Sequence, residues 1–256
     1  MAKITPQLAL KAGLVLSIGA FLLSRVLANT LTYYISARFT LYTLLAIGGL
    51  TVVGLNALLR YQPAPHRHDD DHPCDHATEA HVHEHYRLSW LGVALVLAPV
   101  ILGFALPAQP LGAAALMTRE LNANQSRTIL PATAQSAAEK AAAQRTIADW
   151  HNLFVTADTL ADFAEQPAKV VGFVYQDGQH PNRFIVARYV VSCCVADALV
   201  YGFTVQSPQA ADIANNQWVE VSGRFAINAL DAQQLPILVA DTVSVINRPN
   251  QPYLYP

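Results

Sequence analysis

Charge is what this sequence has least of. Only 13% of its 256 residues are Asp, Glu, Lys or Arg, about half the share found in an ordinary soluble domain. The 16 basic residues are outnumbered by 18 acidic ones. With no basic excess there is little to hold a phosphate backbone, and a role in binding nucleic acid is not expected. Cysteine is scarce too: three residues, two of them adjacent, cannot make a disulfide scaffold. Enzyme fingerprints are also missing. There is no HExxH, P-loop, GxSxG or dinucleotide-binding glycine pattern, so the expectation is a protein that is not an enzyme.

What is abundant is apolar surface: 53% of the residues are hydrophobic, concentrated in the first 110 positions. Three runs have the length that crosses a hydrocarbon core. They cover about 8–27, 40–59 and 88–106, inside a region spanning 1–107. Lys11 and Arg25 lie near the ends of the first, where long cationic side chains reach the interface. Arg38 and Arg60 bound the second. Tyr86 and Trp90 stand at the mouth of the third as aromatic anchors, and Pro99 is expected to kink it. The first run also reads as a signal peptide ending near Val26-Leu27-Ala28, although Arg25 sits badly in a cleavage region.

Orientation follows from the basic residues of short loops. A cytoplasmic N-terminus places Lys3, Lys11, Arg60, Arg67 and Arg87 inside, against Arg25, Arg38 and Arg119 outside. That count favours a cytoplasmic 60–87 loop and an extracytoplasmic C-terminal region. In the first run Gly13, Ser17, Ala20 and Ser24 recur at three- and four-residue spacing, a small-residue stripe that lets a helix approach closely. The expected neighbour is the chain's own second or third helix, with a partner membrane protein as the alternative.

Residues 108–166 read as a connector followed by a helical stalk, because 132–150 is rich in alanine. From 167 to 256 the composition changes to β-branched runs separated by turn residues: 169–175, 183–192, 199–205, 218–227 and 235–246. Five such strands fit a small all-β, OB-like barrel. In the fourth, Val219, Val221 and Phe225 share one face, while Trp218, Glu220 and Arg224 share the other. From Arg145 onward there are 6 basic and 10 acidic residues, a balance that disfavours a phosphate backbone.

Seven of the nine histidines lie in the loop 66–85, HRHDDDHPCDHATEAHVHEH. His66, His68, His72, Cys74, His76, His81, His83 and His85, interleaved with carboxylates, suit Zn or another divalent transition metal. No fixed tetrahedral spacing emerges. The tract reads either as a weak multi-site metal buffer or as a solvated polar linker.

The other concentration of chemistry is Cys193-Cys194-Val195-Ala196-Asp197-Ala198, where the second strand ends. In a regular strand the two thiols would point to opposite faces, one into the core and one outward. If the chain turns at Cys194, both sulfurs and Asp197 converge on a soft or borderline cation, or form a redox pair. Core packing, metal and redox roles all stay open at this point.

These segments carry a resemblance. GFVY at 172–175, RYVVSCCVADA at 188–198, WVEVSG at 218–223 and the terminal NRPNQPYLYP resemble the YcgQ-like family of bacterial membrane proteins. The layout of two spans, a loop, a third span and a soluble domain is similar over nearly the whole chain. The resemblance implies an accessory subunit of a two-component permease in the bacterial inner membrane, working with a polytopic YraQ-like permease. It brings no catalytic residue. Cys193, Cys194, Ala196, Asp197 and Ala198 are its motif positions, with no role attached, and the metal reading of the histidine loop stands apart from it. Two rivals remain: a stand-alone membrane metal-binding or metal-sensing protein, and a membrane-tethered thiol redox protein.

Overall fold

Runs of Leu, Val, Ile and Ala without an acidic residue build the first three helices: α1 (Pro6–Leu27), α2 (Thr40–Leu59) and α3 (Trp90–Ala105). The computed structural model describes residues 6–59, 89–116, 137–164, 166–176, 178, 180–230 and 235–255. By contacts the chain divides into two units, Met1–Leu31 with Arg38–Ala108, and Thr32–Ala37 with Gln109–Pro256. In the first, two helical stretches are long and apolar enough to cross a membrane, Gln7–Leu27 and Ala37–Leu59, and α3 is a shorter apolar helix. Asn29, at φ 54°, closes the end of α1 in the left-handed conformation that asparagine tolerates. Ser89 opens α3 by accepting a hydrogen bond from the Gly92 N–H at 3.1 Å, and Pro99 lies inside that helix.

The seam between these helices does not use the Gly13–Ser24 stripe. Gly13 and Ala20 are exposed, nothing lies within 4 Å of where a Gly13 Cβ would stand, and the Ser17 and Ser24 hydroxyls bond to the Leu14 and Phe21 carbonyls of their own helix. Other small residues make the close approaches. Gly19 admits Leu50 and Thr51, Gly54 lies under Leu16, and Gly103 lies under Phe21, whose ring meets Phe104 edge-on at 5.3 Å. Arg25 donates to the Gly103 carbonyl and lies over the Phe21 ring, so its charge is partnered near the helix end. Each close approach sets a glycine against a large side chain of the facing helix, so the seam forms where small and large residues complement one another.

In the second unit β1 (Pro167–Tyr175), β2 (Arg183–Val190), β3 (Leu199–Gln206), β4 (Trp218–Leu230) and β5 (Pro236–Val245) close a barrel in the order β1-β2-β3-β5-β4. All pairings are antiparallel except β3 with β5. This closed five-stranded barrel fits the OB-like expectation. Inward residues follow the two-residue period: Ala168, Val170 and Val174 from β1, Val219, Val221 and Phe225 from β4. Two glycines permit strand contact. A Cβ on Gly172 would meet the Ala187 carbonyl oxygen at 2.5 Å, and one on Gly223 would overlap the Val239 carbonyl and come within 2.9 Å of the Ala240 Cα.

Among the described residues the alanine-rich segment forms no continuous helix. Its described part breaks into a single turn at 137–139, a 3-10 turn Ala142–Gln144 and the separate helix α5 (Ile147–Thr156), counting the short helix Ala113–Leu116 as α4. A capping box between Thr146 and Asp149 starts α5. Its face of Ile147, Trp150, Leu153 and Phe154 is buried in the barrel core. Phe154 meets Phe163, Phe203 and Phe225 edge-on at 4.8 to 5.7 Å. Burial of four large apolar side chains stabilises far more than alanine propensity does.

A second apolar cluster covers the outer surface of β1 to β4: Phe173, Ala187, Tyr189, Val200 and Trp218, with Ala113 and Leu116 of α4 and Tyr253 of the terminal segment. Tyr253 accepts from the Leu111 N–H at 2.7 Å and donates to the Tyr33 carbonyl at 3.3 Å. Leu254 pairs with Val190. The terminal segment as far as Tyr255 is therefore a strap across the barrel.

Candidate functional site

The expected second strand, 183–192, stops two residues early. After Val190 the chain bends through Ser192 and Cys193 and enters a 3-10 turn, Val195–Asp197, with Cys194 extended at its N-cap (φ −151°, ψ 168°). Asp197 causes the turn. Its carboxylate accepts from the N–H groups of Ser192 at 2.9 Å, Cys193 at 2.7 Å and Cys194 at 3.2 Å, giving these donors a local partner in place of a ladder. Cys194 keeps one bridge, to Ile35. On either side of it the Ser36 N–H donates to the Cys193 carbonyl at 2.9 Å, and the Val195 N–H to the Tyr34 carbonyl at 2.9 Å.

This turn brings the chemistry together. The two sulfurs stand 3.7 Å apart, with the Cys193 thiol donating to Cys194. Among the described residues the ligand atoms of Cys193, Cys194 and Asp197 form a cluster able to hold a metal ion, each within 4.8 Å of the others. Neither thiol packs in a core: Cys193 is exposed, Cys194 half-buried, and both clusters are built from other residues. Ala196 is exposed on the turn, and Ala198 is buried at 3% exposure in the outer cluster. The motif thus splits into three ligating side chains, one spacer and one packing residue.

Electrostatically the carboxylate dominates. Hydrogen bonding to Asp197, then to Cys194, pushes the Cys193 thiol up to about 11. Burial works to raise the Asp197 carboxyl, but the Cys193 thiol and the three backbone N–H groups outweigh it and hold the group below its ordinary value. A reactive, nucleophilic cysteine needs the opposite setting, a thiolate stabilised by positive surroundings. A cation, however, displaces thiol protons and is welcomed by the same carboxylate.

The structure does not bring every predicted residue to this site. His66, His68, His72, Cys74, His76, His81, His83 and His85 lie outside the described residues. What the sequence did not reveal is the connector Thr32–Ala37, which pairs with the motif although nothing in its composition marks it as a strand partner. The Asp197 turn did leave a signal: an acidic residue three positions after Cys194 is the spacing of a helix N-cap box.

The DUF1980 N-terminal domain matches residues 12–122 and the DUF1980 C-terminal domain matches residues 125–256. A protein of Streptococcus mutans named "Putative two-component membrane permease complex subunit" is 35% identical over 96 residues, 37% of this chain and 35% of that protein. The Bacillus subtilis UPF0703 protein YcgQ is 28% identical over 97 residues, 37% of this chain and 34% of that protein. The matched segment thus spans about a third of the length of these curated relatives. With both domain models covering the helices, the barrel and its Cys-Cys-Asp turn, the chain belongs to the DUF1980 family.

Proposed function

We propose that this protein is the accessory, non-enzymatic subunit of a two-component membrane permease, anchored by three helices in the bacterial inner membrane and carrying an OB-like barrel on the extracytoplasmic side. The observation that carries the reading is the relationship to the streptococcal permease-complex subunit. The connector supports the third span. Thr32–Ala37 links α1 to α2 in sequence, yet it belongs to the barrel's unit and pairs through Ile35 with Cys194. Connector and barrel then lie on one side of the bilayer, and only an even number of crossings between them, α2 and α3, returns the chain there. The 66–85 loop falls on the opposite side, and the five-to-three distribution of Lys and Arg favours the cytoplasm for it.

The unused stripe of α1, exposed at Gly13 and Ala20, is the face we assign to a polytopic partner of the YraQ-like class. The histidine loop would concentrate a divalent transition metal such as Zn at the cytoplasmic face. Affinity purification of the tagged chain from its native host in mild detergent, with mass spectrometry of what co-purifies, tests the subunit reading. A polytopic permease at comparable abundance is the expected result. Recovery of this chain alone, under conditions that keep known membrane complexes intact, would overturn it.

A second reading has one observation in its favour. The convergence of Cys193, Cys194 and Asp197 also suits a stand-alone membrane metal-binding protein. Deletion of 66–85 that abolishes metal tolerance, in a strain where no permease co-purifies, would favour that alternative.

A further inference from the structure

We propose that Cys193, Cys194 and Asp197 form a binding site for one tetrahedrally coordinated divalent cation of the zinc class, with its fourth position open. The site does not depend on the permease reading, since it rests on side chains within the barrel's own unit.

Geometry makes the case. Zinc–sulfur bonds of about 2.3 Å at tetrahedral angles hold two thiolates roughly 3.8 Å apart, and the sulfurs here stand 3.7 Å apart. A disulfide between them fits less well. It would require the sulfurs to close to about 2.0 Å, across neighbouring Cα atoms that a trans peptide fixes about 3.8 Å apart, below the range disulfides ordinarily span. Asp197 supplies the third ligand. A carboxylate has about four lone-pair sites, three of which take the Ser192, Cys193 and Cys194 N–H groups. The fourth faces the Cys193 thiol and comes free for the cation when that thiol gives up its proton, while the three backbone bonds hold the group in place beforehand.

The frame is held from outside as well, by the hydrogen bonds from Ser36 to Cys193 and from Val195 to Tyr34. These main-chain bonds fix the backbone of the turn from which the three ligating side chains project. Exposure of Cys193 leaves the fourth position open to water or to an incoming ligand, as in zinc sites that exchange or act rather than merely brace a fold. On binding, two S–H bonds give way to two metal–sulfur bonds and two protons leave; no electron is transferred. Two thiolates and a carboxylate leave the loaded site with one net negative charge.

Cobalt(II) titration of the full-length chain in detergent, reduced and carrying Cys74→Ser to silence the third thiol, tests the proposal. The expected result is a thiolate-to-cobalt charge-transfer band, which cobalt held by the histidine loop does not give, together with the visible bands of tetrahedral cobalt, both removed by added Zn(II). C193S and C194S should each halve the charge-transfer intensity and weaken binding at least tenfold. Because two protons are released, apparent affinity should rise by up to about 100-fold per pH unit below neutrality. Absence of the charge-transfer band in folded protein would overturn the site, as would a band that survives in both serine variants. Binding of Cu(I) alone, without the tetrahedral cobalt spectrum, would overturn the assignment to the zinc class. Alkylation of the unmutated chain gives a readout that needs no folded variant: Zn(II) should protect Cys193 and Cys194, and equal labelling with and without it would contradict the proposal.

Discussion

Asp197 shows how one side chain redirects a strand. Its carboxylate collects three backbone donors that would otherwise face solvent or seek a ladder partner. Asp197→Ala should cost about 1 kcal/mol, the usual worth of a lost N-terminal cap. Thermal unfolding of the full-length protein measures it. His151 offers a second test. It lies 1% exposed in α5, edge-on to Tyr201 at 4.7 Å, and burial lowers its pKa from 6.5 to about 4. The fold therefore holds the neutral imidazole. A depressed pKa contributes stability that is complete above the unfolded value and is lost as pH falls from about 6.5 to about 4, in all roughly 3 kcal/mol. His151→Leu should flatten the pH dependence of the melting temperature across that window. An unchanged slope would show that other groups set it.

Among elements, the barrel's strands were legible because a half-buried strand alternates strictly, and Val219, Val221 and Phe225 do so against Glu220 and Arg224. That the described part of the alanine-rich segment ends in a helix packed into the barrel was not legible, for an equally physical reason. Alanine propensity is a local quantity, whereas Trp150 and Phe154 find their partners Phe203 and Phe225 on strands far along the chain. The family-like segments acquire reasons too. Gly172 and Gly223 stand where strand backbones meet too closely for a Cβ. Gly223→Ala should destabilise the barrel by roughly 3 kcal/mol, since backbone must move to admit the methyl group. Retention of wild-type melting behaviour would count against this close approach. The terminal strap gives the matching test. Tyr253→Ala removes a buried ring at 2% exposure together with its bonds to Leu111 and Tyr33, and should cost about 3 kcal/mol or more.

For the whole molecule the decisive segment is the short connector Thr32–Ala37. If it shares a side of the membrane with the barrel, reporters placed within 66–85 and after Pro256 must report opposite compartments. The proposed orientation, which follows the positive-inside count, expects the first to be active in the cytoplasm. Reporters active in the same compartment would show that α3 does not cross.

Sequence alone determined where the apolar runs and the alternating strands lie, because those follow from the period of a helix or strand and from the length needed to cross lipid. It also placed the two thiols and Asp197 within five positions of one another. Only tertiary structure decided that their ligand atoms converge, that α5 enters the barrel, and that Ile35 pairs with Cys194. Each of these depends on contacts between residues distant in the chain or on a turn that competes with a strand. Neither is set by local propensity, because burial and hydrogen-bond satisfaction are settled only when all the partners are present.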